Sequence, residues 1–177
     1  MKVVLRRMLP AVVAAGILFA ASAAHALSSG DLIKQGVQAM VEGKAKEALE
    51  LFTKAEKLDP NSAKPHYYIA RALERLGEAD SARVEYETAL ATNPKYVEAL
   101  TGLGSLLRKQ GKLEEGTAKL QDAVKYGPKD SQALYALGQA HLKDKRFDEA
   151  LTVFRRGTLL KQGRELFLDG QGLAMEA

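Results

Sequence analysis

From Ser29 onward the apolar residues of this chain recur three and four positions apart, on stretches rich in Ala, Leu, Glu and Lys. That spacing predicts a succession of short amphipathic helices. Two residue types punctuate it. Gly43, Gly77 and Gly111 fall 34 residues apart, in the phrases VEGKAKEA, RLGEADSA and KQGKLEEG. Pro60, Pro94 and Pro128 keep the same 34-residue interval and close KAEKLDP, ALATNP and AVKYGP. A glycine between two helical stretches allows a tight turn without a Cβ. A proline just past the second stretch prevents that helix from continuing. Each period therefore reads as helix, turn, helix, stop.

Placing each proline at the thirty-second position of a unit gives units 29–62, 63–96, 97–130 and 131–164. Small residues then form columns. The eighth position holds Gly36, Ala70, Gly104 and Gly138, the twentieth Ala48, Ala82, Gly116 and Ala150, and the twenty-seventh Ala55, Ala89, Ala123 and Gly157. Bulky residues fill others, with Leu32, His66, Leu100 and Leu134 at the fourth and Phe52, Tyr86, Leu120 and Phe154 at the twenty-fourth. Large and small residues in fixed alternation are what two closely packed helices require. A buried Leu or Phe in such a column contributes about 1.5–3 kcal/mol.

This large/small pattern on a 34-residue helix–turn–helix unit resembles the tetratricopeptide repeat (TPR) family. The resemblance covers residues 29 to 164 and implies an all-α, right-handed superhelical solenoid of about nine helices. Two departures stand out. The fourth unit has Lys145 where the glycine stood and Gln162 where the proline stood, and the first has a polar Gln35 at its seventh position, which suits a unit with one face in water. In the same register residues 165–177 form either the first helix of a fifth repeat or a C-terminal cap. Gly172 continues the small column and Leu168 and Met175 are apolar as required, whereas Gln171 breaks the pattern.

By the same resemblance, the first helices of successive units line a concave groove. The positions that face it hold Tyr67, Tyr68, Arg71, Glu74 and Arg75, then Glu98, Thr101, Ser105, Arg108 and Lys109, then Gln132, Tyr135, Gln139, Leu142 and Lys143. The first unit adds an apolar end of Ile33, Val37, Met40 and Val41 beside Lys34. Tyrosines beside arginines are the composition favoured at protein-binding hot spots. The partner-binding residues expected from this are Tyr67, Tyr68, Arg71, Arg75, Arg108, Lys109, Tyr135, Gln139 and Lys143, anchoring a peptide of acidic character. The bland alternative is that Arg71, Arg75 and Lys109 pair with carboxylates such as Glu74. The family's clamp of cations and asparagines on a C-terminal carboxylate is not reproduced, because Ile33, Val37 and Tyr68 occupy its positions.

The first 26 residues change the charge. Lys2, Arg6 and Arg7 precede an uncharged apolar run from Leu9 to Ala21, and Ala24-His25-Ala26 supplies small residues for cleavage. This is the pattern of a secretory signal peptide, which predicts a mature chain starting at Leu27. The run is short for a membrane span of about 20 residues. Export places the protein in the periplasm, with secretion or anchoring by an uncleaved signal as alternatives. The whole chain carries 26 basic and 22 acidic residues and has a pI near 9.2. Without the leader's three cations the balance is 23 against 22, a net charge of +1, which removes the main support for a nucleic-acid partner.

Chemistry is sparsely provided for. With no cysteine there is no disulfide, thiolate metal site or thiol catalysis. His66 and His141 lie two units apart, too far to share a metal readily, and read as packed histidines. Glu85/Glu87 and Glu114/Glu115 read as solvated faces, and Gly102 and Gly104 in TGLGSLL lie inside a helix with no strand before them. The sequence thus points to a non-catalytic scaffold of the cell envelope that binds a protein or peptide, with no cofactor. Self-association through the repeats, or service as the front part of a longer enzyme or sensor, are the alternatives.

Overall fold

The computed structural model describes residues 27–160 and 164–176, so the segment read as a leader lies outside them. Among the described residues there are nine helices and no strand: α1 (Ser29–Val41), α2 (Ala45–Leu58), α3 (Ala63–Leu76), α4 (Ala79–Thr92), α5 (Val97–Lys109), α6 (Leu113–Tyr126), α7 (Ser131–Lys143), α8 (Phe147–Thr158) and α9 (Arg164–Met175). Each odd-numbered helix from α1 to α7 packs on the helix that follows it, and each pair stacks on the next. The result is an all-α solenoid.

Local chemistry sets the helix ends. Ser28 caps α1 in a capping box with Asp31, Ser62 caps α3, and Asp130 caps α7 by accepting from the Ala133 amide at 2.7 Å. These acceptors satisfy amides that have no partner within the helix. The turn inside each pair needs one residue in the left-handed region. Gly43, Gly77 and Gly111 supply it with φ of 77°, 82° and 84°, and the fourth turn uses Lys145 at φ 58°. All four turns close alike, the next residue's amide donating to a carbonyl five residues back (Lys44 to Ala39, Glu78 to Leu73, Lys112 to Leu107, Arg146 to His141). The fourth turn therefore keeps the glycine geometry without the glycine.

The columns become the core. Ala48, Ala82 and Ala150 are wholly buried, as are Ala55, Ala89 and Ala123, and the bulky Phe52, Tyr86, Leu120 and Phe154 are at most 1% exposed. A Cβ at Gly36 or Gly138 would lie 2.3 Å from the ring of Phe52 or Phe154, and one at Gly104 would lie 2.8 Å from Leu120. The small column is thus where the second helix drives its large side chain against the first helix's backbone. α9 docks on α8 and α7 by seating Phe167 against Gly157 and Gly170 against Phe154. Gly172 faces nothing within 4 Å, and Leu168, Leu173 and Met175 are 49%, 53% and 73% exposed.

Both histidines sit in the packed interior. His66 contacts Glu85 of α4 through Nδ1 at 2.8 Å, so Glu85 is an inter-helix partner rather than a purely solvated carboxylate. His141 is buried with Nδ1 unpaired, and burial, with Arg146 nearby, holds its pKa below the usual imidazole value. Among the described residues no group of His, Asp or Glu is placed to hold a metal, and no helix is long and apolar enough to cross a membrane.

Candidate protein-binding groove

Helices α1, α3, α5 and α7 each touch the next odd-numbered helix, so the outward faces of α1 to α9 in this series run together as one groove. Two cavities lie along it. The smaller, of about 180 Å3, is lined by Tyr67, Arg71, Glu74, Tyr86 and Glu98. The larger, of about 460 Å3, is lined by Arg108, Tyr135, Gln139, Lys143 and Asp144. Both share Thr101, Ser105, Lys109 and Gln132, which makes them continuous across α5.

The floor of the smaller cavity is a polar knot. Tyr86 comes from α4 and is fully buried, yet its hydroxyl donates to Glu74 Oε2 at 2.7 Å. The path exists because residue 102 is glycine, where a Cβ would lie 2.5 Å from Tyr86 Cζ. Burial, reinforced by Glu74, pushes the Tyr86 hydroxyl far above the ordinary phenol value. Lys109 reaches the other oxygen of Glu74 at 3.4 Å from a largely solvated side chain. Glu74 is thus the shared carboxylate of the floor.

The residues expected to bind a partner divide into three groups. Tyr68, Arg75, Lys109, Tyr135, Gln139 and Lys143 keep surface available, Tyr68 with its ring stacked on Phe52 at 5.1 Å and Gln139 donating to the Tyr135 hydroxyl at 3.2 Å. Arg71 is half-buried and donates to the Tyr67 hydroxyl at 2.8 Å, so it bonds a phenol rather than a carboxylate. The remaining two need correction. Tyr67 is 6% exposed, and its ring packs edge-on against Tyr68 and Tyr96, so it is a core residue with only its hydroxyl near the groove. Arg108 is not a free cation. Its guanidinium is bidentate to Asp144 at 2.6 and 2.9 Å and also donates to Ala140 O, Leu113 O and Thr117, clamping α5 to the turn after α7.

Two tetratricopeptide repeat profiles match the chain, one over residues 39–106 and the other over 101–162. The chain belongs to the tetratricopeptide repeat family. Solved TPR proteins share its fold. A thermophilic TPR protein of Thermus thermophilus aligns with TM-score 0.68 at 22% identity, over 84% of this chain and 91% of that one. PilF of Pseudomonas aeruginosa aligns with TM-score 0.76 at 24% identity, over 84% of this chain and 68% of its own. YrrB, described as a TPR protein with an unusual peptide-binding site, aligns with TM-score 0.62 at 21% identity, over 84% and 77%. Among curated proteins none matches. TPR proteins generally mediate protein–protein interactions, and their repeats are typically non-catalytic.

Three features of this TPR groove escaped the sequence reading. Asp144 neutralises Arg108 from 36 residues away. Tyr86, read as a core residue, also presents its hydroxyl to the groove floor. Gly102, read only as a glycine inside a helix, is the slot that admits that ring. The available signal was a hydroxyl at the twenty-fourth position, where the other units carry Phe52, Leu120 and Phe154, followed sixteen residues later by glycine.

Proposed function

We propose that this TPR protein is an exported, non-catalytic scaffold of the cell envelope that holds a protein segment in the groove formed by α3, α5 and α7. The continuous groove carries the reading. It offers a half-buried aromatic at Tyr68, adaptable amides at Gln132 and Gln139, and exposed cations at Arg75, Lys109 and Lys143. Aromatic surface flanked by cations favours a partner with apolar and acidic side chains. The Lys2-to-Ala26 leader pattern supports export, and with it a periplasmic partner. A peptide-binding site in the similarly folded YrrB is in keeping with this use of the groove.

The test is capture of partners from envelope extract by wild type and by the Tyr68→Ala/Arg71→Ala variant. Truncating a hot spot costs about 2 kcal/mol or more, so the variant should retain a few per cent of the captured partner. Equal capture at equal affinity would leave the groove a solvated face. N-terminal sequencing of exported protein should return Leu27, and recovery of Met1 or Lys2 on it would reject cleavage.

Self-association is the second reading, favoured by the exposed Leu168, Leu173 and Met175 on α9. Sedimentation of the mature chain across a concentration series separates it from binding in the groove.

A further inference from the structure

Arg75, Lys109 and Lys143 stand in the last turns of α3, α5 and α7, each 34 residues after the one before, so the repeat sets them at equivalent heights along one rim of the groove. All three are exposed. Packed helices lie roughly 8–10 Å apart, so the cations recur at about that interval across the array. The neighbouring charged groups are already engaged: Arg108 by Asp144, Arg71 by the Tyr67 hydroxyl, Glu74 by Tyr86. Among the described residues Arg75 and Lys143 have no hydrogen-bond or ion-pair partner, and Lys109 has only its 3.4 Å contact to Glu74. At the matching position of α1 stands Val41, 76% exposed.

A cation in a helix's last turn is favoured by the helix dipole alone. That accounts for one basic residue at each end. The 34-residue period then sets these three, one per helix, at one height and open to solvent, while Arg108, Arg71 and Glu74 beside them are engaged within the fold.

Building on the groove as a protein-binding surface, we infer that this rim selects an acidic segment whose carboxylates are spaced about 10 Å apart, with an apolar side chain on the Val41 side. A polyproline-II chain advances about 3.1 Å per residue with about three residues per turn, so carboxylates at every third position lie on one face at about that spacing. A nucleic acid fits less well, because the balance of 23 basic and 22 acidic residues outside the leader pattern gives no broad positive field to hold a continuous phosphate chain.

The experiment is fluorescence anisotropy on the mature protein with three probes. These are a labelled proline-rich peptide in the polyproline-II conformation with glutamates at i, i+3 and i+6 and a flanking leucine, a scramble of the same composition, and an oligouridine of equal length. The patterned peptide should bind best, and more weakly as salt rises. Arg75→Gln, Lys109→Gln and Lys143→Gln should each weaken it by roughly threefold, as exposed charge contacts do, and the triple variant by about 30-fold with a flattened salt dependence. Far-UV circular dichroism should be unchanged in all four, since the side chains are exposed. Equal binding of the scramble, tighter binding of the oligouridine, or an unaffected triple variant would each overturn the inference. If Tyr68→Ala/Arg71→Ala loses the cellular partner while the triple variant keeps it, the groove stands and the ladder falls.

Discussion

Replacing Asp144 by alanine strands a guanidinium whose side chain is only 9% exposed, at the junction of the third and fourth helix pairs. The pair is joined by two short bonds, Nη2 to Oδ1 at 2.6 Å and Nη1 to Oδ2 at 2.9 Å. Breaking one side of a buried pair costs about 3–5 kcal/mol. Here Asp144 keeps 20% exposure, and Arg108 retains Ala140 O, Leu113 O and Thr117, which places the loss at the lower end. We expect about 3 kcal/mol, or a fall in Tm of roughly 6–12 °C for a domain of this size. The hydrogen bond from Arg108 holds the Asp144 carboxyl below its ordinary value of 3.8. A carboxyl that is more acidic folded than unfolded contributes fully above its unfolded pKa, and that contribution is lost as pH falls through the folded one. Thermal melts followed by far-UV circular dichroism should therefore show the full gap between wild type and Asp144→Ala at pH 7, and a narrowing gap below pH 3.8. A double-mutant cycle with Arg108→Met should return a coupling of about 2 kcal/mol. A coupling near zero, or a gap that ignores pH, would refute the clamp.

Two further predictions follow from the backbone. Lys145→Gly should stabilise the protein by about 0.5–1 kcal/mol in urea, because a side chain at positive φ is strained and glycine's larger unfolded-state entropy offsets only part of the relief. Loss of stability would mean that the fourth turn accepts lysine without strain. Gly138→Ala should cost about 1–3 kcal/mol by forcing the Phe154 ring aside, whereas Gly172→Ala, in open space, should gain about 0.5–1 kcal/mol. Equal effects at the two glycines would contradict the packing described for the small column.

The helix pairs were legible because their punctuation is chemical. Gly77 must supply a positive φ, and Pro94 cannot continue α4, so each marks its place whatever surrounds it. The core columns were legible for a related reason, since Phe52 against Gly36 is a contact within one unit and a single register displays it. The groove was harder. Tyr67 and Arg108 sit at groove-facing positions, but their fates are decided by distant neighbours, Tyr96 at the far end of the same unit in one case and Asp144 of the next unit in the other. A column records which residue types recur at a position and not which of them a particular neighbour has captured. Arg75 and Lys143 stay open to solvent because nothing across the groove reaches them.

The ring of Tyr86 in the space above Gly102 ties two positions of this protein together in inheritance. A descendant that gains any side chain at 102 must first shrink or turn the ring at 86, and in doing so it loses the hydroxyl that meets Glu74. The reverse order is open, since phenylalanine at 86 fits the same slot and leaves 102 under the same constraint. Among related chains, then, glycine at 102 should accompany an aromatic at 86, and a bulkier 102 should appear only with a smaller partner. The two letters lie sixteen apart in the sequence, in different repeats, and should drift as one character.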